Sequence, residues 1–422
     1  MAPPSLERDD AAGLVRFPRA QEAAIVADFD LRALPAAFYD NPFPYYHALR
    51  DTDPVREMPD GSYLLTRYDD VNAVYRDTRR FSSDKHAEFA PKFGASPLYD
   101  HHTTSLVFND PPLHTRVRRI IAGALTPRAI AVMEPALVDL VDRLLNDIAE
   151  RGRVDLIESF AAAIPVEVIG NLLGVPHEER GPLRGWSLAI LSALEPAISP
   201  AVFEAGNRAV SGFIAYLEDL VARRRRQPGD PDTDVLTRLL QGEPDGERLS
   251  EAELLHNCIF ILNAGHETTT NLIGNGLHAL AESPDQRQRL IADQSLVSSA
   301  VEEILRFESS NQLGNRRTTQ ETVLGGRVLP AGSLITLAIG AANRDPAQFP
   351  APDRFDVGRT PNRHLAFGAG RHQCVGMALA RLEGKIAIAR FLARFPGYRL
   401  ADAPRRGGRA RFRGFQSLPV VV

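Results

Sequence analysis

The chain has 422 residues, 44% of them hydrophobic and 24% charged, with a formal net charge of −4. That is enough apolar material for a large core, and it excludes the strongly basic balance of a nucleic-acid binder. Two cysteines, Cys258 and Cys374, exclude a disulfide framework and fit a reducing compartment. No run of about 18 uncharged apolar residues is present, and MAPPSLERDD lacks the apolar stretch of a signal peptide. A cytoplasmic protein without a membrane anchor is expected.

In chain order, residues 1–35 read as a loosely ordered segment and 36–422 as a single domain. PVREMPDGSYLLTRY predicts a β-hairpin turning at Asp60-Gly61. From about residue 112 to 310 the apolar spacing is almost wholly helical, with breaks at Pro127, Gly152, Pro176, Pro182 and QPGDPDTD. The run Arg223 to Arg226 reads as the solvated end of a helix rather than a docking patch. Past 310 the pattern changes. GGRVLPAGSLITLAIGAANRD predicts strands divided by Pro330-Ala331-Gly332, a long helix follows Cys374, and FRGFQSLPVVV ends the chain with strand character.

FGAGRHQCVG, Phe367 to Gly376, carries chemistry. Gly368 and Gly370 permit positive φ and close backbone approach. Cys374 falls at the N-terminal end of a helix expected to begin around Val375, where free amides and the helix dipole favour a thiolate. A thiolate so held is a good axial ligand for haem iron. Gly376 would let a porphyrin approach the backbone, and Phe367 would cover the sulfur. A zinc site would need ligands that a lone Cys-His pair does not supply. Cys258, in the apolar helical run HNCIFIL, reads as core.

FGAGRHQCVG resembles the haem-binding signature of the cytochrome P-450 family of haem-thiolate monooxygenases, and other landmarks follow in the family's order. ILNAGHETTTNLIG resembles its oxygen-activation motif, with Ala264-Gly265 followed by Glu267-Thr268. The resemblance implies that Thr268 donates a hydrogen bond to dioxygen and that Glu267 relays protons. Mid-helix glycine and hydroxyl residues leave a groove that suits this. Asn263 is a polar group where the family often has an apolar one; it faces either the pocket or a neighbouring helix. In VEEILRF, Glu303 and Arg306 share a helix face, and the resemblance pairs them with Arg354 of PDRF in a buried structural triad.

The resemblance further implies cations for the haem propionates. His114 and Arg118 stand at i,i+4 on a helix opened by Pro111-Pro112, and His372 lies just before the cysteine. Counting forward from Arg306 and back from Gly325-Gly326 both land on Arg316, with Arg317 as the neighbour that would serve if the register slipped. Phe367, Gly368, Ala264 and Gly265 are placed against the cofactor. In SSNQLGN, Asn311 and Gln312 are polar where relatives carry apolar residues or proline; they bind a polar group of the substrate or tie down the turn.

The fold so implied is mainly α with a smaller β-rich part. Haem b would lie between the helix of Thr268 and the helix after Cys374. The reaction implied is RH + O2 + 2e⁻ + 2H⁺ → ROH + H2O on a mid-sized, largely apolar molecule. Electrons would come from NAD(P)H through ferredoxin and ferredoxin reductase, since no flavin or iron–sulfur signature is visible. The docking face would lie behind Cys374, near Arg371, Arg116 and Arg119. A peroxygenase, an oxidative-coupling enzyme and a non-catalytic haem sensor stay open as alternatives. Pocket walls are expected from residues 83–108, about 185–210, 258–268, 309–315 and 410–417.

Overall fold

The computed structural model describes residues 6–9, 13–242 and 246–422. The helical half of the sequence gathers around one long helix, Glu251–Glu282, referred to here as the central helix. Its start is set by a capping box. The Ser250 hydroxyl accepts from the Glu253 amide at 3.2 Å, and the Glu253 carboxylate accepts from the Ser250 amide at 2.8 Å. The helix is buried on most of its circumference, polar residues such as Asn257 and Asn275 included, so other elements enclose it. Helices Ala163–Leu172, Leu183–Ser192, Pro200–Arg226 and Met377–Arg394 all pack against it. Cys258 is fully buried there, and desolvation pushes its thiol up to about 12. It is a core residue, as its surroundings in sequence imply.

The β-rich part is a five-stranded sheet in the order Val55–Glu57, Tyr63–Leu65, Leu334–Ala338, Leu313–Thr318, Phe81–Ser82. The hairpin turns where expected. Gly61 has φ +78°, which an L side chain rarely adopts, and Asp60 accepts from the Ser62 amide. Pro330-Ala331-Gly332 divides strand Arg327–Leu329 from Leu334–Ala338. Strand Pro419–Val421 pairs antiparallel with Arg153–Asp155, so the end of the chain is stitched to the helical body. Among the described residues, no single helix is long and apolar enough to cross a membrane.

Two expectations change. Residues 1–35 are not loose over their described part. Strand Leu14–Arg16 and helix Arg19–Ala27 form there, and Phe17, Val26, Phe29 and Leu31 join a buried cluster. The organiser is Arg16, itself buried, which bonds Glu22 at 2.6 Å and Asp51 at 2.7 Å. A polar-looking segment thus hides an interior ion pair, which local composition does not reveal. Positions 1–5 and 10–12 lie outside the described residues. The Arg223 to Arg226 run does end a helix, but it is anchored rather than merely solvated: Arg223 meets Glu179, Arg224 meets Asp234 and Arg225 meets Glu251.

Candidate active site

The cysteine loop is built by its glycines. Gly368 and Gly370 have φ +65° and +68°, and a Cβ on Gly370 would come 2.5 Å from the Tyr75 carbonyl. The turn is closed by Gly368 N–H to the Leu365 carbonyl at 2.8 Å and Cys374 N–H to the Phe367 carbonyl at 2.9 Å. The helix begins at Met377 with Gly376 as its cap, later than Val375. The amide that reaches the sulfur is that of Gly376. It does not make Cys374 a thiolate by itself. Burial pushes the thiol up, against the smaller pull of Gly376, Arg118 and Arg381. The expected pull toward the thiolate is thus present at the Gly376 amide, and burial outweighs it.

Cys374 opens onto a large cavity. Phe367, Gly368 and Gly376 share its wall, and Ala264, Gly265 and Thr268 of the central helix line it as well. Gly265 packs closely against Ile169, and a Cβ there would lie 2.5 Å from Ile169 Cδ1 and oblige that side chain to move. The Thr268 hydroxyl donates to the Ala264 carbonyl at 2.6 Å, so its one hydrogen is engaged within the helix rather than offered to the cavity. Glu267 does not join it. Its buried carboxylate is held by Arg409 and by Asn271 Nδ2 at 3.0 Å, and it is not part of the cavity wall. Successive helical residues point about 100° apart, so neighbours in sequence become neighbours of different rooms.

One edge of the cavity is cationic and unsatisfied. His114 is buried with no partner for either ring nitrogen among the described residues, and it lies 3.9 Å, centroid to centroid, from the His372 ring. His372 Nε2 is also unpartnered. Burial and the nearby arginines push His114 down to about 4 and His372 to about 2. Arg118 donates to the Gln373 carbonyl at 2.7 Å, and Arg316 donates to the Asn315 carbonyl at 2.7 Å while lying over the Tyr75 ring. Among the described residues neither arginine meets a carboxylate. Arg316 is on the cavity wall and Arg317 is not. A sulfur facing a broad apolar slot with unmatched donors along one edge suits a flat apolar group carrying carboxylates, as haem does.

A family model described as "Cytochrome P450" matches residues 188–397. The chain is also 40% identical to cytochrome P450 107B1 of Saccharopolyspora erythraea, over 93% of this chain and 97% of that one. The chain belongs to the cytochrome P450 family. This P450 is also 42% identical to vitamin D(3) 25-hydroxylase of Pseudonocardia autotrophica, over 86% of its own length and 89% of the relative's. Among solved structures, P450BioI in complex with an acyl carrier protein ligated by hexadec-9Z-enoic acid superposes with a TM-score of 0.87 at 33% identity, covering 92% of this chain and 100% of that one. The chain is thus a P450 monooxygenase, and family membership implies haem b as its cofactor and dioxygen as co-substrate.

Behind the cysteine loop of this P450, Glu303 is fully buried and accepts from Arg306 twice at 2.8 Å. The expected third member was Arg354. Its side chain is exposed and only its carbonyl joins the network. The arginine that reaches Glu303 is Arg359, at 3.1 Å, with Asn362 and the Asp356 amide completing the set. The segment curls after Phe355, so the residue that faces the helix is one turn later in the chain. Arg306 also donates to the Asn343 and Pro352 carbonyls, tying the loop to this helix.

Of the three polar residues proposed for the pocket, two line it. Asn263 and Asn311 are on the wall, each with its side-chain oxygen unpartnered. Gln312 is not; it donates to the Ser309 carbonyl at 2.7 Å and packs where Gly340 leaves room. It ties down the turn. Lys85, His101, His102 and Arg411 also line the cavity and were not singled out from sequence, because a charged residue near an apolar run reads as surface. Arg116 and Arg119 are engaged with Glu253 and Glu247, so they do not make the open basic face expected of them. Arg371 is exposed.

Proposed function

We propose that this P450 inserts one oxygen atom of O2 into a mid-sized, largely apolar organic molecule in the cytoplasm. Electrons come from NAD(P)H through a ferredoxin and its reductase, the chain holding no flavin or iron–sulfur cluster of its own. The observation that carries this reading is one cavity bounded by Cys374 on one side and Thr268 on the other, with unpaired cations along its edge. Haem b, when bound, supplies dioxygen activation and oxygen-atom insertion. Cys374 would hold it through sulfur, with His114, Arg118, Arg316 and His372 on its propionates. Gly368, Gly376, Ala264 and Gly265 keep the walls thin, and Phe367 shields the sulfur from water.

Thr268 orients dioxygen and passes protons into the cavity, which requires its hydroxyl to turn from the Ala264 carbonyl. Glu267 restocks it, which requires the carboxylate to turn away from Arg409. Asn263 and Asn311 offer amide groups to a polar function of the substrate. The names of two relatives, one for vitamin D(3) and one bound to a fatty acyl carrier protein, support a substrate of low polarity.

The test is spectroscopic and then kinetic. Dithionite-reduced protein under carbon monoxide should show the red-shifted Soret band of thiolate ligation, and Cys374→Ser should lose it. NADPH oxidation with ferredoxin and ferredoxin reductase should then rise on adding substrate. Turnover driven by peroxide alone would instead identify a peroxygenase.

A further inference from the structure

Charge is not balanced around Lys85 and Arg411 on the cavity wall. Three cations gather there: Lys85 and Arg411 on the wall, and Lys92 behind it. Two carboxylates, Glu88 and Glu195, act on them. Glu88 is committed to Lys85 at 2.5 Å. Glu195 is committed to backbone, accepting from the Ala410 amide at 2.8 Å and the Arg411 amide at 3.1 Å. Lys92 donates only to the Glu195 carbonyl at 2.8 Å, and burial together with Arg411 lowers it to about 8. The next charge felt by Lys85 is another cation, Arg316.

Among the described residues, Arg411 is the member that faces the cavity with no carboxylate in direct ion-pair contact, Glu195 and Glu88 acting on it only from a distance. Its guanidinium donates to the Leu194 carbonyl at 2.9 Å, the Leu313 carbonyl at 2.8 Å and the Asn315 side chain. All three acceptors are neutral. A guanidinium has five N–H donors, so one hydrogen on each terminal nitrogen is uncommitted. That pair matches the two oxygens of a carboxylate. A desolvated cation of this kind is costly unless an anion meets it. The same cavity carries apolar wall residues, among them Leu106, Ile169, Leu172, Leu191 and Phe260.

We propose that Arg411, supported by Lys85, is the anchor for a substrate carboxylate, so that this P450 oxidises an organic acid with a long or bulky apolar body. The proposal rests on the monooxygenase reading and narrows its substrate class. The acid end lies at Arg411, and the apolar end is the part presented to the reacting centre.

The experiment titrates the ferric holoenzyme with a matched series from octanoate to hexadecanoate and with the primary alcohols of the same lengths, following the Soret shift on displacement of water. Wild-type protein should bind the acid about tenfold or more tightly than the alcohol at the best chain length. Arg411→Gln should bring the two to near equality. Arg411 also clamps Leu194 and Leu313, so Lys85→Met is made in parallel. It leaves that clamp in place and should shrink the acid preference. The proposal is overturned if wild-type protein shows no preference for acids at any length. It is equally overturned if the preference is unchanged in Arg411→Gln, or in Lys85→Met where Arg411→Gln does not retain haem. Absence of the red-shifted carbon monoxide band would instead refute the haem reading itself.

Discussion

The guanidinium of Arg359 lies 3.1 Å from the carboxylate of Glu303, whereas Arg354, in the segment before it, contributes only a carbonyl. This assigns the buried charge network to residues that can be separated by mutation. Glu303→Ala leaves Arg306 buried without its carboxylate, which costs about 3–5 kcal/mol. The expected outcome is protein that fails to retain haem. Arg359→Ala should lower the thermal midpoint and the yield of carbon monoxide-reactive protein, while Arg354→Ala stays near wild type. Equal damage from both arginine variants would refute the assignment.

Thr268 and Glu267 are adjacent in sequence but occupy different surroundings. Thr268→Ala should uncouple NADPH use from product and raise peroxide release, whereas Thr268→Ser should remain largely coupled. Glu267→Gln loses the proton donor and should cut product formation by roughly 10²-fold, in the range typical of general acid–base groups. Product and peroxide measured against NADPH consumed decide both points. Full coupling in Thr268→Ala would remove its role.

Acid sensitivity follows from two histidines of the central helix, His266 buried and His278 half-buried. His266 and His278 are both pushed down to about 4, chiefly by desolvation. Arg184 and Arg409 add to this at His266, and Arg406 and Arg413 at His278, while Glu267 and Glu308 respectively oppose it. In the unfolded chain each titrates near its ordinary value of about 6.5. The unfolded state therefore binds more protons between about 4 and 6.5, and stability is lost as pH falls through that window. Above pH 7 the contribution is complete and flat. Thermal unfolding followed from pH 8 to pH 4 should show the decline. His278→Phe, packed against Phe415 (4.6 Å between rings in the native pair), should make it shallower.

Gly370→Ala should damage the cysteine loop more than its size suggests. The residue has φ +68°, and a Cβ would meet the Tyr75 carbonyl at 2.5 Å, a backbone atom that cannot swing aside. A non-glycine residue in such a conformation costs on the order of 1–3 kcal/mol before the clash is counted. Haem content per polypeptide should fall sharply. Gly397→Ala, where an added Cβ meets nothing, is the matched control and should be unaffected.

Much of this protein is local, and the local part is legible in one sequence. A glycine-flanked cysteine before a helix, a glycine beside a threonine within a long apolar helix, and a capping serine each declare themselves through backbone geometry or periodicity. Those features depend only on residues a few positions apart. What the sequence could not settle depends on where charge finds its partner. Arg16 looks exposed until Glu22 and Asp51 close on it, and Glu267 looks like the neighbour of Thr268 until Arg409 claims it. Arg359 replaces Arg354 because a loop curls by one more turn, and Arg411 enters the cavity because distant carbonyls orient it. Burial, not identity, makes these groups consequential: a guanidinium in water is ordinary, while one enclosed among carbonyls must find an anion. Short-range patterns set the elements, and only the closing of the chain on itself selects which charges are shut inside together.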